Sequence, residues 1–161
     1  MIGQVFMFIL AGLVFVLILA YGYRAITNFV QRGQEVQLID FRNDLESAIT
    51  TIKRDYGSVQ RVDLRLPPGT DELCVVTSYA HAKDAGQGWE AAFKEELPLL
   101  YNAWATQTEN VFLIPRQPTP ILVQDVIVQR TGFACMPVIN NRISMRVEGT
   151  GSTAQVSSWQ E

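Results

Sequence analysis

Reactive side chains are scarce in this sequence, which holds one histidine and two cysteines in 161 residues. No CxxC, no CxxCH and no cysteine–histidine cluster occurs, so neither a metal nor a covalent haem has a ligand set to build on. A phosphate-binding glycine loop, a nucleophile elbow and a paired-carboxylate motif are missing too. His81 stands in the polar stretch YAHAKDAG, where solvent exposure is expected rather than catalysis. Glu95 and Glu96 are neighbours in sequence. Consecutive helix positions point in different directions, which suits a solvated face and not an acid/base pair. Asp125, inside ILVQDVIVQ, is expected as an outward strand position or as a partner of Arg130. The sequence points away from an enzyme, and no cofactor or metal is expected.

Clustered positive charge is also lacking. Thirteen Lys/Arg stand against 16 Asp/Glu, for a net charge of −3 and a pI near 5.2. A nucleic-acid partner calls for a basic patch or stripe, and no basic run interleaved with aromatics is present. Nucleic acid is not expected.

One region lacks charge of either sign. GQVFMFILAGLVFVLILAYGY runs from Gly3 to Tyr23 before Arg24 interrupts it. The run exceeds the ~7–15 apolar residues of a signal-peptide core, and it matches the roughly 20 needed to cross ~30 Å of hydrocarbon as a helix. Proline is missing from Ala25 to Tyr56, and Gly33 is the only breaker there. At 100° per residue Leu38, Phe41, Leu45, Ile49, Ile52 and Tyr56 fall within about 80° of one another, the stripe of an amphipathic helix. One helix is therefore expected to continue to Tyr56 and to stop at Gly57. Gly12, Gly22 and Gly33 each cost it about 1 kcal/mol relative to alanine. They mark either close approach of another helix or the tolerance of lipid for glycine.

Beyond Gly57 the period shortens. RVDLRL alternates as a half-buried strand ending at Pro67-Pro68-Gly69, and ELCVVTSY reads as a strand buried on both faces. A polar loop over 80–88 precedes Trp89, Phe93, Leu97, Leu100 and Trp104 at helical spacing, with Pro98 kinking or restarting that helix. NVFLIP and ILVQDVIVQ are the next expected strands. FACMPVI-NN-RISMRVEG reads as a β-hairpin around Asn140-Asn141, and the tail is a last weak strand or a frayed end. The fold class is α+β: a long N-terminal helix packed on a mostly antiparallel β head with one helical insert. Residues 1–30 are read as a transmembrane or filament-core helix, 31–56 as an amphipathic stalk and 57–161 as the head. The stripe Leu38 to Tyr56 is the natural cover for one face of the head. Cys74 and Cys135 each fall in an expected strand, and an even pair in an envelope-facing domain suggests one disulfide joining those strands, with two buried thiols as the alternative.

The Gly3-Gln4 step, the apolar run Val5–Tyr23 and the stripe Leu38 to Tyr56 together resemble the type IV pilin family, and more closely its archaeal pilin-like members. The resemblance implies that a prepilin peptidase cuts after Gly3, leaving Gln4 as the first residue. It also implies a filament core of bundled helices, with Val5, Phe6, Phe8, Gly12, Phe15, Leu17 and Gly22 in the assembly surface. Copies of the same chain, the membrane before assembly and a pilus assembly machinery would then be the partners. The destination would be an extracellular filament on the cell surface. The competing class is a bitopic envelope protein that never polymerises. Arg24 and Arg32 follow the span with nothing basic ahead of it, which by the positive-inside tendency favours a cytoplasmic head. The cysteine pair and the strand-rich head favour an oxidising exterior.

Overall fold

The computed structural model describes residues 2–159, with side chains left out for 2, 4–6, 27–32 and 34. Helix α1 covers Ile2–Ile52. It is followed by β1 (Val59–Arg65), β2 (Glu72–Val76), a 3-10 segment (Tyr79–Ala85), α2 (Trp89–Glu96) and α3 (Pro98–Ala105). Five strands complete the chain: β3 (Val111–Ile114), β4 (Val126–Ile127), β5 (Phe133–Pro137), β6 (Arg142–Gly149) and β7 (Ala154–Ser158). The chain divides into two compact units, Met1–Gln37 and Leu38–Glu161. Leu38–Ile52 therefore belongs to the larger unit.

Within that unit the strands form two sheets. One has the order β1-β6-β7-β4 and the other β3-β2-β5. All pairings are antiparallel except β4 with β7. The class is α+β, with mixed and antiparallel sheets.

Two apolar cores lie on opposite faces of β2. Leu73 and Val75 join a core built from Val62, Leu64, Ile143, Met145 and Val147 of the first sheet and from Leu38, Phe41, Leu45, Ile49 and Ile52 of α1. Cys74 and Val76 join a second core with Trp89, Phe93, Leu100 and Trp104. Alternation along a five-residue strand thus serves two cores, as a strand buried on both faces must. The stripe on α1 faces the first of them, and each of its five members is buried.

Tyr56 does not join them; it is 87 % exposed. The helix ends at Ile52, four residues earlier than the apolar spacing indicates. Its last carbonyls are taken by other partners: Asp55 N–H donates to Ile52 O at 3.0 Å and Gly151 N–H to Lys53 O at 2.9 Å. A backbone donor from the β6–β7 turn satisfies a terminal carbonyl that a further helical turn would otherwise have used. Gly57, at φ +75°, lies outside the helix, and its N–H donates to Gly149 O at 2.8 Å.

The helical insert is two helices. Pro98 is the first residue of α3, and Leu97 before it has φ −133° and ψ 62°. Proline disfavours the helical region for its predecessor yet suits the first helical turn, so α2 stops and α3 starts at the same point. The stretch expected as a polar loop over 80–88 is largely the 3-10 segment, kinked at His81.

ILVQDVIVQ is not one strand. Val126–Ile127 pairs in a sheet and Ile121 makes a single bridge with Val111, although Ile121, Val123, Val126, Ile127 and Val128 are all buried. Asp125 has φ +58°, which interrupts extended backbone. The Asn110 amide takes the place of a neighbouring strand, accepting from Val123 N–H at 2.8 Å and donating to Val123 O at 2.9 Å. A side chain that satisfies both backbone groups removes the need for a ladder.

The expected hairpin is present only at its tip. Asn140 and Asn141 have φ +54° and +57°, the pair of left-handed residues of a two-residue turn. Ile139 and Arg142 exchange both backbone bonds at 3.0 Å. The arms then part, β5 pairing with β2 and β6 with β1 and β7. The tail forms β7, a full strand antiparallel to β6.

Candidate functional site: an exposed apolar helix and a polar cluster

Met7–Ile26 is a 20-residue segment of α1 with mean hydropathy 2.1 and no residue buried. At 1.5 Å per residue it is about 30 Å long, the thickness of a hydrocarbon core. By length and composition it qualifies as a membrane span, a test that a signal sequence near an N-terminus also passes. Phe8, Phe15 and Leu17 are exposed along it, Phe8 at 79 %. A Cβ built on Gly3, Gly12, Gly22 or Gly33 would meet nothing within 4 Å. No packing inside the described chain therefore calls for glycine there. Gly3 lies in α1, and the side chains of Gln4, Val5 and Phe6 lie outside the described residues.

In the larger unit a polar cluster gathers around Asp125. Lys53 Nζ donates to Asp125 Oδ2 at 2.7 Å, and His81 Nε2 lies 3.3 Å from Asp125 Oδ1. The other ring nitrogen, Nδ1, lies 2.9 Å from Asp84 Oδ2. His81 is half-buried in this cluster, where the sequence suggested simple exposure. The hydrogen bond from Lys53 holds the Asp125 carboxyl below the usual carboxylate range; partial burial opposes that, and the bond to His81 adds to it. Asp125 O also accepts from Ala154 N–H at 2.7 Å. The cluster thus ties the end of α1, the 3-10 segment and the start of β7 together.

Lys53, not Arg130, is the partner of Asp125. The His81–Asp84 pair has i, i+3 spacing and was readable in principle. Nothing local marks Lys53, which is 72 residues away from Asp125. Its contacts join segments that are far apart in the sequence.

Cys74 and Cys135 face each other in the β2–β5 register, with their sulfurs at disulfide distance, 2.01 Å. A disulfide fits an oxidising environment. Glu72 lies with them in the one group of potential metal ligands found among the described residues. Sulfur engaged in a disulfide is no thiolate, and the thiolate is the metal-binding form.

The fold and site define an α+β chain with an exposed apolar N-terminal helix segment and a disulfide-paired, two-core unit. Comparison with protein-family models, with curated proteins and with solved structures found no match.

Proposed function

We propose that this chain is a structural subunit of an extracellular type IV pilus-like filament, made by the bundling of its N-terminal helices. The observation that supports this reading is the segment Met7–Ile26, strongly apolar with Arg24 as its one charge, and entirely unburied within the chain. Its apolar surface demands a partner, either lipid or other helices. Gly12 and Gly22 leave open space where a second helix can approach closely. Cleavage after Gly3, maturation by a prepilin peptidase and export of the larger unit belong to the same proposal, as does a purely structural, non-enzymatic role. The disulfide-distance pair favours the exterior for that unit.

The alternative, an anchored envelope protein that does not polymerise, is favoured by the sufficiency of the same segment as a lone membrane span. Replacing residues 5–23 with a polyleucine run of equal length separates the two. A lone anchor needs only average hydrophobicity, so function and membrane insertion should survive. A filament core needs helix-to-helix fit, so the chain should insert and yet yield no polymer in negative-stain micrographs of sheared cell-surface material. Normal filaments from the polyleucine chain would refute assembly through this helix, and wild-type cells without filaments would favour the anchor.

A further inference from the structure

Strand β1 ends its sheet. β6 lies on one side of it, and its other edge pairs with no strand among the described residues. That edge runs the whole of Val59–Arg65, seven residues without proline. It has no bulge either, since each residue has one partner in β6. A long regular edge is a template for another strand unless it is shortened, bulged or covered. Val59, Gln60, Arg61, Asp63 and Arg65 are all exposed.

What the edge offers follows from the parity of the ladder. Gly149 N–H donates to Ser58 O and Leu66 N–H to Asn141 O, both at 2.9 Å. Even-numbered residues of β1 therefore turn their backbone groups to β6, and Val59, Arg61, Asp63 and Arg65 turn theirs outward. These four make no backbone hydrogen bond to a loop or turn among the described residues. Their side chains lie on the solvent face, opposite the buried Val62 and Leu64. The row of charges is self-complementary about Val62, with Arg61 before it and Asp63 after it.

We propose that β1 pairs with β1 of a second copy of this chain, antiparallel and two-fold about Val62, so that two sheets become one. In this register Arg61 faces the copy's Asp63 and Val59 the copy's Arg65, and all four outward residues fall in hydrogen-bonded pairs. Val62 meets its own counterpart on the face that carries the core. The charges select this register. A slip of two residues one way sets Arg61 against Arg61; the other way sets Asp63 against Asp63 and Arg61 against Arg65. Like charges directly opposite are destabilising. A slip of one residue turns the core face of one copy to the solvent face of the other, and larger slips leave most of the edge unpaired. Arg61 already faces Arg146 across β6, so the copy's Asp63 brings an opposite charge to its other side. Both groups keep capacity for this. Within the chain Arg61 uses Nε and Nη2, and Asp63 uses Oδ1. Arg61 Nη1 and Asp63 Oδ2 have no partner among the described residues. A two-fold contact closes on itself, so it is separate from the open repeat of a filament and does not depend on where the N-terminal helix goes.

The test follows amide exchange at single-residue resolution in the full-length chain in nonionic detergent, over a dilution series. The amides of Val59, Arg61, Asp63 and Arg65 should gain protection together as concentration rises, because a second β1 supplies their acceptors. Association through the apolar helices would give those four amides none. Arg61→Asp and Asp63→Arg, each by itself, set like charges opposite in both pairs and should weaken the association by about tenfold or more. Mixed in equal amounts, the two variants again set opposite charges across the axis. Protection should return to near the wild-type level, although neither chain has regained its own Arg61–Asp63 bond. The proposal is overturned if the four amides stay unprotected up to about 1 mM chain, or if Arg61→Asp and the wild type are protected alike. Protection that dilution to about 1 nM leaves unchanged means an edge closed within one chain and overturns it too, as does a mixture of folded variants that restores nothing. The wild-type series decides the matter even where a variant does not fold.

Discussion

A Cβ placed on Gly149 would lie 2.1 Å from the carbonyl oxygen of Ile52 and 2.4 Å from that of Asp55. The end of α1 is seated directly on the backbone of β6, with Gly149 N–H donating to Ser58 O at 2.9 Å. Both obstructing atoms are main-chain oxygens, which cannot rotate away. Gly149→Ala should therefore cost about 3 kcal/mol, the upper range for overpacking, measured by urea unfolding. Stability within a few tenths of wild type would mean that the α1–β6 contact is looser than described.

The same seating bears on truncation. Leu38, Phe41, Leu45, Ile49 and Ile52 are buried members of the first core. Removing residues 1–37 should leave a soluble, cooperatively folding unit, because the whole core is retained. Removing residues 1–56 takes away five buried apolar side chains, each worth about 1.5–3 kcal/mol, a loss as large as a typical domain's net stability. That fragment should be unfolded or aggregated in size-exclusion chromatography. A folded, monomeric 57–161 fragment would contradict the assignment of Leu38–Ile52 to this unit.

Acid should weaken the Asp125 cluster in a defined direction. The carboxyl is held below its ordinary value in the folded chain, so its contribution is fully present above the unfolded value of about 3.9. It is lost as pH falls through the lower, folded value. Asp125→Asn keeps a residue that tolerates φ +58° and removes the charge. The variant should be about 1 kcal/mol less stable at pH 7, and the gap should narrow as the pH falls below the unfolded value toward the lowered, folded one. Parallel stability curves for the two proteins across that range would show that the Lys53 pair contributes nothing.

Replacing Cys74 and Cys135 together by alanine opens a loop of 61 residues. On the chain-entropy account this costs about 4 kcal/mol, read as a lower urea midpoint. Mass analysis of the unreduced wild-type chain should show the loss of two hydrogens. Two thiols that alkylate freely in protein taken directly from cells would contradict the pairing.

Those features legible in the sequence were periodic. The α1 stripe, the alternation of β1 and β6, and β2 with both faces apolar follow from the chain's own spacing, because burial selects residues at the repeat of the element. The Asn140-Asn141 turn was legible because two consecutive left-handed residues suit few side chains. What failed depended on distant partners. ILVQDVIVQ has the composition of a strand, yet Asn110 takes the backbone of Val123 and Asp125 turns toward Lys53. FACMPVI and RISMRVEG look like mates, and β2 draws the first away after one bridge. Tyr56 continues the spacing of the stripe but lies beyond a helix end set by Gly151.

β2 contributes alternate side chains to both cores, Leu73 and Val75 to one, Cys74 and Val76 to the other. It is a party wall: neither room can be emptied while the wall stands, and neither keeps its shape once the wall is gone. Probes on the two sides, such as Trp104 in one core and the helicity of Leu38–Ile52 in the other, should then lose their signals at one common midpoint. The amides of Leu73 to Val75 should be among the last to exchange with solvent, opening only when the entire unit does.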